Sequence, residues 1–187
     1  MVPILNDAVG STLTFTVNLT APVNATLGDA QALGTIQPRP ADDIVPMYRT
    51  YNPTADYHFF TTSLPEKTNA VANGYQDESS PLPFRVPNTE GPGRVTLFRL
   101  YNPNNGRHYY TASPGERDTL MGYGFIYEKD EGFVLAGPAT GTVEVFRLYN
   151  RNSGAHLYTA DPAEVDAVLS RFPGIWEKHT SVGWAYP

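Results

Sequence analysis

Apolar and polar positions along this chain follow two periods, and the switch between them recurs. Residues 11–19, STLTFTVNL, alternate strictly, with Leu13, Phe15, Val17 and Leu19 on one side and Thr12, Thr14, Thr16 and Asn18 on the other. Alternation of this length predicts a half-buried strand, because successive side chains of extended backbone point to opposite faces. A second run, AQALGTI, follows TAPVNAT, and the two segments are expected to pair as an antiparallel hairpin. A lone hairpin is marginal in water, so this one needs a sheet to join.

Beyond Val45 one pattern is written three times: YRTYNPTADYHFFTTSLPE at 48–66, FRLYNPNNGRHYYTASPGE at 98–116 and FRLYNRNSGAHLYTADPAE at 146–164. Tyr48, Phe98 and Phe146 are equivalent, at spacings of 50 and 48 residues, and self-similarity at such a period marks a repeat architecture. In the middle copy TLFRLY alternates and is aromatic-rich, which reads as a strand. NPNNG then stacks turn formers, Pro103 fixing φ and Asn105 and Gly106 tolerating positive φ, and HYYT returns as the second strand. Ser63 with Glu66, Ser113 with Glu116 and Asp161 with Glu164 have the spacing of a capping box, so a short helix starts in each copy. In the third, AEVDAVLSRF sets Val165, Val168, Leu169 and Phe172 on one side. Two further short runs close each copy, giving a β-β-α-β-β unit.

Three such units, at 45–93, 94–141 and 142–187, predict a mainly β fold with short helices. The expected arrangement is a pseudo-threefold closed array resembling a β-trefoil, with a three-bladed propeller-like array as the alternative. The N-terminal hairpin and its linker, residues 1–40, stand apart from this domain at 41–187.

Two resemblances add to this reading. VPILNDAVGSTLTFTVNLTAPVNATLGDAQALGTI resembles the closing strands of a Calx-beta domain. It implies that residues 1–40 are the remnant of a larger module whose calcium-binding acids mostly lie upstream, leaving Asp7, Asp29, Asp42 and Asp43 as calcium candidates here. The signature YRxYNPxxGxHxYT resembles a repeat domain of unknown function found in secreted bacterial and fungal proteins. That resemblance covers all three copies and implies an extracellular or cell-surface location within a larger multidomain protein. It carries no established chemistry, and the start, MVPILNDAVGS, lacks the basic and apolar regions of a signal peptide.

Composition narrows the chemistry. The absence of cysteine removes disulfides, thiolate zinc sites and a cysteine nucleophile. A net charge of −6 with only 13 scattered Lys and Arg opposes nucleic-acid binding, which needs clustered cations to displace counterions. No stretch approaches the roughly 20 apolar residues of a membrane span, so no membrane insertion is expected.

If Tyr101 lies across from His108, then Arg99 lies across from Tyr110, and all four share one sheet face. A bulge at the loop glycine would instead send His108 and Tyr110 to the other side. On the first register each hairpin carries a polar aromatic stripe: Arg49, Tyr51 and His58; Arg99, Tyr101, His108 and Tyr110; Arg147, Tyr149, His156 and Tyr158. These residue types suit a glycan, and three linked weak sites would gain avidity. The leading expectation is therefore a non-catalytic binder of cell-wall or exopolysaccharide glycans, or of another small-molecule ligand, at up to three hairpin sites.

Other readings stand beside it. The Arg, the turn residues Asn52, Asn102 and Asn150, and the His recur in every copy if each hairpin simply needs them to hold its own backbone. His58, His108 and His156 meeting on the pseudo-threefold axis would make a three-histidine zinc site. A small ester or lactone hydrolase, aided by a divalent cation, would draw on the non-repeated WEKHTSVGW through Glu177 and His179, with Glu177 aligned to Glu128. A purely structural spacer or adhesion module is the third alternative. The first copy departs from the others in Asp56 and Phe60, so the second and third hairpins are the stronger sites.

Overall fold

The computed structural model describes residues 13–18, 20, 23–24, 26, 28, 30–36 and 43–187. It contains two compact units, Met1–Asp43 and Ile44–Pro187. In the first, β1 (Leu13–Asn18) pairs antiparallel with β2 (Gln31–Ile36), from Leu13↔Ile36 to Asn18↔Gln31. This is the hairpin that the alternation predicts. Phe15 lies over Gly34, where a Cβ would meet its ring at 2.3 Å, so a larger residue there would make the ring shift. Phe15 and Val17 on the apolar side are exposed, as is Leu33, which the register places beside Thr16 on the other side. The calcium candidates Asp7, Asp29 and Asp42 lie outside the described residues, and Asp43 is buried.

In the second unit each copy folds as a hairpin, a helix and a returning strand. The first copy comprises β3 (Ile44–Asn52), β4 (Tyr57–Thr61), α1 (Leu64–Ala72), β5 (Gln76–Asp77) and β6 (Phe84–Pro87). The second comprises β7 (Arg94–Asn102), β8 (Arg107–Thr111), α2 (Pro114–Gly122) and β9 (Ile126–Leu135). The third comprises β10 (Val143–Asn150), β11 (His156–Thr159), α3 (Pro162–Arg171) and β12 (Trp176–Ala185). In every copy the opening strand is central, with its hairpin partner on one edge and the returning strand on the other. β9 and β12 meet at Trp184↔Leu135, joining copies two and three into one six-stranded antiparallel sheet. An Arg85↔Tyr186 bridge ties β6 to the end of the chain.

The expected β-β-α-β-β unit, and with it the trefoil's four strands per copy, is found in the first copy alone. In copies two and three the two closing strands are one ten-residue strand. Gly132 at φ +108° and Gly183 at φ +135° sit where the register shifts, letting the strand bend and continue. The first copy has Pro81 and Pro83 in the corresponding stretch, and proline has no N–H to continue a ladder.

The core is built from equivalent positions. Met47, Leu97 and Val145 come from the central strands, and Val86, Val134 and Ala185 from the returning strands; all six are at most 2% exposed. Phe60, Tyr110 and Tyr158 form a triangle of edge-to-face rings, with centroid separations of 5.8, 5.5 and 5.2 Å. Tyr110 Oη accepts from Phe60 N at 3.0 Å and donates to Phe60 O. Tyr158 Oη serves the Tyr110 backbone in the same way, at 3.0 and 3.1 Å. Each hydroxyl thus satisfies buried backbone groups of the preceding copy, and Phe60 is where that series stops.

The three helices begin as the capping spacing predicts. Ser63 Oγ accepts from Glu66 N, Ser113 Oγ from Glu116 N and Asp161 from Ala163 N. In α3, Val165 is buried, with Val168 and Leu169 packed against the core. Phe172 leaves that side: the helix ends at Arg171, and Phe172 is the C-cap at φ −129°. Among the described residues no helix is long and apolar enough to cross a membrane.

Candidate functional site

The hairpins pair in the register of a six-residue connection. Tyr51 faces His58, Tyr101 faces His108 and Tyr149 faces His156, while Arg49, Arg99 and Arg147 face residues 60, 110 and 158. The repeated asparagines make the turn. Asn52 Oδ1 accepts from Thr54 N and Ala55 N at 3.0 Å, Asn102 Oδ1 from Asn104 N at 3.0 Å, and Asn150 Oδ1 from Asn152 N at 2.9 Å. Gly106 and Gly154 take positive φ in the loop, and in the first copy Asp56 does so at +51°.

The face expected to carry the ligand stripe is turned inward. Tyr110 and Tyr158, read from the sequence as ligand residues, are 2% exposed at the centre of the domain. Arg99 and Arg147, read the same way, are 5% and 6% exposed. Each motif arginine instead meets the glutamate in the first helical turn of the preceding copy. Arg99 Nη1 donates to Glu66 at 2.9 Å, Arg147 Nη1 to Glu116 at 3.0 Å, and Arg49 Nη1 to Glu164 at 2.8 Å. The third of these pairs joins the last copy to the first. Arg99 also lies over the Phe59 ring and Arg147 over the Tyr109 ring, at 5.3 and 5.2 Å, where burial strengthens cation–π attraction.

The threonine closing each motif serves this pairing. Thr61, Thr111 and Thr159 Oγ1 accept from the N-cap backbone N–H at 3.0 Å, the donor that a capping-box glutamate would otherwise satisfy. Relieved of that task, Glu66 and Glu116 accept from the same threonines and from the arginines. Burial by itself raises the Glu66 carboxyl, but the bonds from Arg99, Thr61 and Lys129 more than reverse this and hold it at about 2. Glu116 is lowered for the same reason, by Arg147, Thr111 and Tyr109 against its burial.

The histidines are half-buried and also inward. His58 Nε2 lies 3.1 Å from Glu78 and His108 Nε2 3.2 Å from Glu128. Burial and the charge of Arg99 push His108 down to about 4, and burial, Arg147 and His179 push His156 down to about 3. All three motif histidines line one cavity of about 40 Å³ near the hairpin tips, with room for about one water. Among the described residues no three His, Cys, Asp or Glu groups are arranged to hold an ion, so the proximity of the histidines does not amount to the three-histidine zinc site.

The third copy breaks the pattern. In the first two, Glu78, just past β5, and Glu128, in β9, lie against both the arginine Nε and the histidine: Arg49 Nε is 3.1 Å from Glu78 without a hydrogen bond, and Arg99 Nε donates to Glu128 at 2.8 Å. By register Arg147 faces His179, and Glu177 faces Tyr149. The alignment of Glu177 with Glu128 read from the sequence is therefore corrected, because β9 carries a bulge between the partners of Arg99 and Leu100. His179 stacks on Tyr149 at 5.0 Å, and its Nε2 lies 3.0 Å from Glu177 Oε1. Arg147 keeps one carboxylate, Glu116, and its Nε is buried without a partner.

Beside Arg147, between copies two and three, lies an open cleft of about 640 Å³. Thr111, Ser113 and Glu116 line one side and Thr180, Ser181 and Trp184 the other. The corresponding position between copies three and one is a cleft of about 450 Å³ lined by Arg49, Asp77, Glu78, Asp161 and Glu164. Between copies one and two the same position is filled by the Glu131 side chain, which is fully buried. Of the residues read from the sequence, only Arg49 and Arg147 line these clefts. The capping residue, serine in two copies and Asp161 in the third, and the helical glutamate were legible as helix chemistry, whereas the threonine that recurs in every copy was not read as part of it. Trp184, Thr180 and Ser181 carry no signal beyond their lack of repetition.

No curated protein matches the chain, and no solved structure matches it. A family profile does match, over residues 46–186, which spans the three copies and stops short of the N-terminal hairpin. The chain belongs to the family described as a domain of unknown function, DUF5648.

Proposed function

We propose that this domain is a non-catalytic glycan-binding module that acts outside the cell on cell-wall or exopolysaccharide chains, and that its principal site is the cleft between copies two and three. One observation carries the reading: a single cleft of about 640 Å³ is lined by Trp184, by the hydroxyl residues Ser113, Thr180 and Ser181 and by the Glu116–Arg147 pair. An aromatic face suits the C–H side of a sugar ring, and a few convergent polar groups fix its hydroxyls. The hairpin stripes do not serve this role, since their arginines and central tyrosines are used in packing. We also read the domain as a pseudo-threefold closed array held by the Arg–Glu pairs, and the N-terminal hairpin as the end of a Calx-beta-like module in a larger secreted protein.

A glycan array probed with the full chain tests the reading. Trp184→Ala should cut retention at least about tenfold, as loss of one aromatic contact implies, while Tyr101→Phe should leave it unchanged. Retention of the same glycans by both variants, or of none by the parent, would sink it. A hydrolase of small esters or lactones rests on the Glu177–His179 pair alone; ester or lactone turnover that disappears in His179→Gln would favour that reading instead.

A further inference from the structure

The two interfaces that flank copy two show what the open cleft is shaped to receive. Between copies one and two, the Glu131 carboxylate accepts from Thr61 Oγ1 at 3.1 Å, Thr62 Oγ1 at 2.9 Å, the Thr62 backbone N–H and Arg99 Nη1 at 3.0 Å. Glu131 directly precedes Gly132, as Val182 directly precedes Gly183. Both glycines take positive φ and approach a neighbouring copy closely, a Cβ meeting Pro87 O at 2.9 Å in one and Leu135 O at 2.8 Å in the other. The equivalents of Thr61, Thr62, Arg99 and Glu131 at the second interface are Thr111, Ala112, Arg147 and Val182. All four line the cleft.

At the first interface the chain fills this place with its own carboxylate. At the second it presents an aliphatic side chain and leaves the space open. Arg147 meanwhile is as buried as Arg99, each side chain 7% exposed, and where Arg99 Nη1 meets both Glu66 and Glu131, Arg147 Nη1 meets Glu116 as its one carboxylate, with the Tyr109 hydroxyl beside it. A buried guanidinium with a single carboxylate partner is poorly compensated, whereas a second carboxylate delivered to it makes short charge-assisted bonds.

We infer that the cleft between copies two and three is a carboxylate-binding subsite, and that it receives a sugar acid, a uronic-acid-type unit, whose carboxylate occupies the place that Glu131 fills at the first interface. The identity of the ligand as a sugar rests on the glycan reading above; the preference for a carboxylate does not. Charge agrees with the assignment. The first cluster holds three carboxylates, Glu66, Glu128 and Glu131, against Arg99 and Lys129, and the second holds Glu116 against Arg147. One added carboxylate brings the second cluster to the same balance as the first. The cleft between copies three and one, with four acidic residues around Arg49, repels such a ligand.

The test uses the full chain, with calorimetry and with the Arg147 Nε–H signal in NMR as readouts. The probes are an oligouronate, its methyl ester and sodium acetate. The oligouronate should bind at least about tenfold more tightly than the ester, and both it and acetate should shift the Arg147 signal. Val182→Glu, which rebuilds the internal carboxylate, should abolish both effects. Ala112→Glu, at the more exposed rim, provides a second variant that should weaken oligouronate binding and spare the ester should Val182→Glu fail to fold. Equal binding of acid and ester overturns the carboxylate preference and leaves glycan binding standing. An acetate-dependent shift of Arg147 with no glycan bound supports the subsite and overturns the glycan reading. No response to any of the three probes overturns both, as does oligouronate binding that survives both variants.

Discussion

Arg99 and Arg147 occupy the same place in successive copies, yet one is surrounded by carboxylates and the other meets a single one. Arg99 reaches Glu66, Glu128 and Glu131, and Lys129 joins the same cluster at 3.0 Å from Glu66. Arg147 reaches Glu116 and the Tyr109 hydroxyl, and its Nε has no partner. A repeated fold can therefore keep one contact everywhere, the arginine to the preceding helix, and vary the rest. The interface that loses its internal acids opens into a cleft of about 640 Å³, against about 450 Å³ at the interface between copies three and one, which keeps them.

The largest expected effect tests whether the two arginines differ as this implies. Arg99→Met leaves the fully buried Glu131 with Lys129, at 3.3 Å, as its cation and should cost about 3 kcal/mol, the low end of the range for breaking a buried ion pair from one side. Arg147→Met leaves behind Glu116, whose side chain is 32% exposed and can rehydrate, so a loss of about 1–2 kcal/mol is expected. Urea denaturation decides it, and equal losses would erase the distinction.

The hydroxyls at the centre come next. Tyr110→Phe and Tyr158→Phe each leave a buried backbone N–H unmet and should cost about 1–3 kcal/mol. Phe60→Tyr supplies a hydroxyl where the series stops and should change stability by no more than about 1 kcal/mol in either direction.

The pH dependence separates the histidines from the carboxylates. His108 and His156 are held down at about 4 and about 3 in the fold, against an ordinary value of 6.5. The unfolded chain takes up their protons first, so stability falls as pH drops below about 6.5, by roughly 1–2 kcal/mol per histidine between pH 7 and pH 5. Glu66, held at about 2, contributes stability that is present above its unfolded value and lost as pH falls towards 2. His156→Gln should flatten the upper window and leave the lower one, as thermal melts across pH will show.

Much of the second unit was legible because the chemistry is local. The hairpin register, the asparagine turns and the serine and aspartate caps each depend on residues within one copy, and their spacing announces them. The direction in which the stripe faces was not legible. Alternation puts Arg99, Tyr101, His108 and Tyr110 on one side of a sheet without saying whether that side meets water or another copy. The partners lie 33, 31 and 115 positions away for Arg99, Arg147 and Arg49, beyond any periodic pattern. A glutamate recurring in the first turn of each helix was the available hint, and the capping box fully accounted for it.

By itself the sequence determined the three copies, their hairpins, turns and caps, because these follow from side chains hydrogen-bonding to nearby backbone and from the two-residue alternation of strands. Only the tertiary structure decided that the polar stripe is interior, that the helical glutamates pair with the next copy's arginines, and that a cleft opens where Val182 replaces Glu131. Those outcomes depend on which surfaces of separate copies exclude water together, and that is settled by packing across the whole unit.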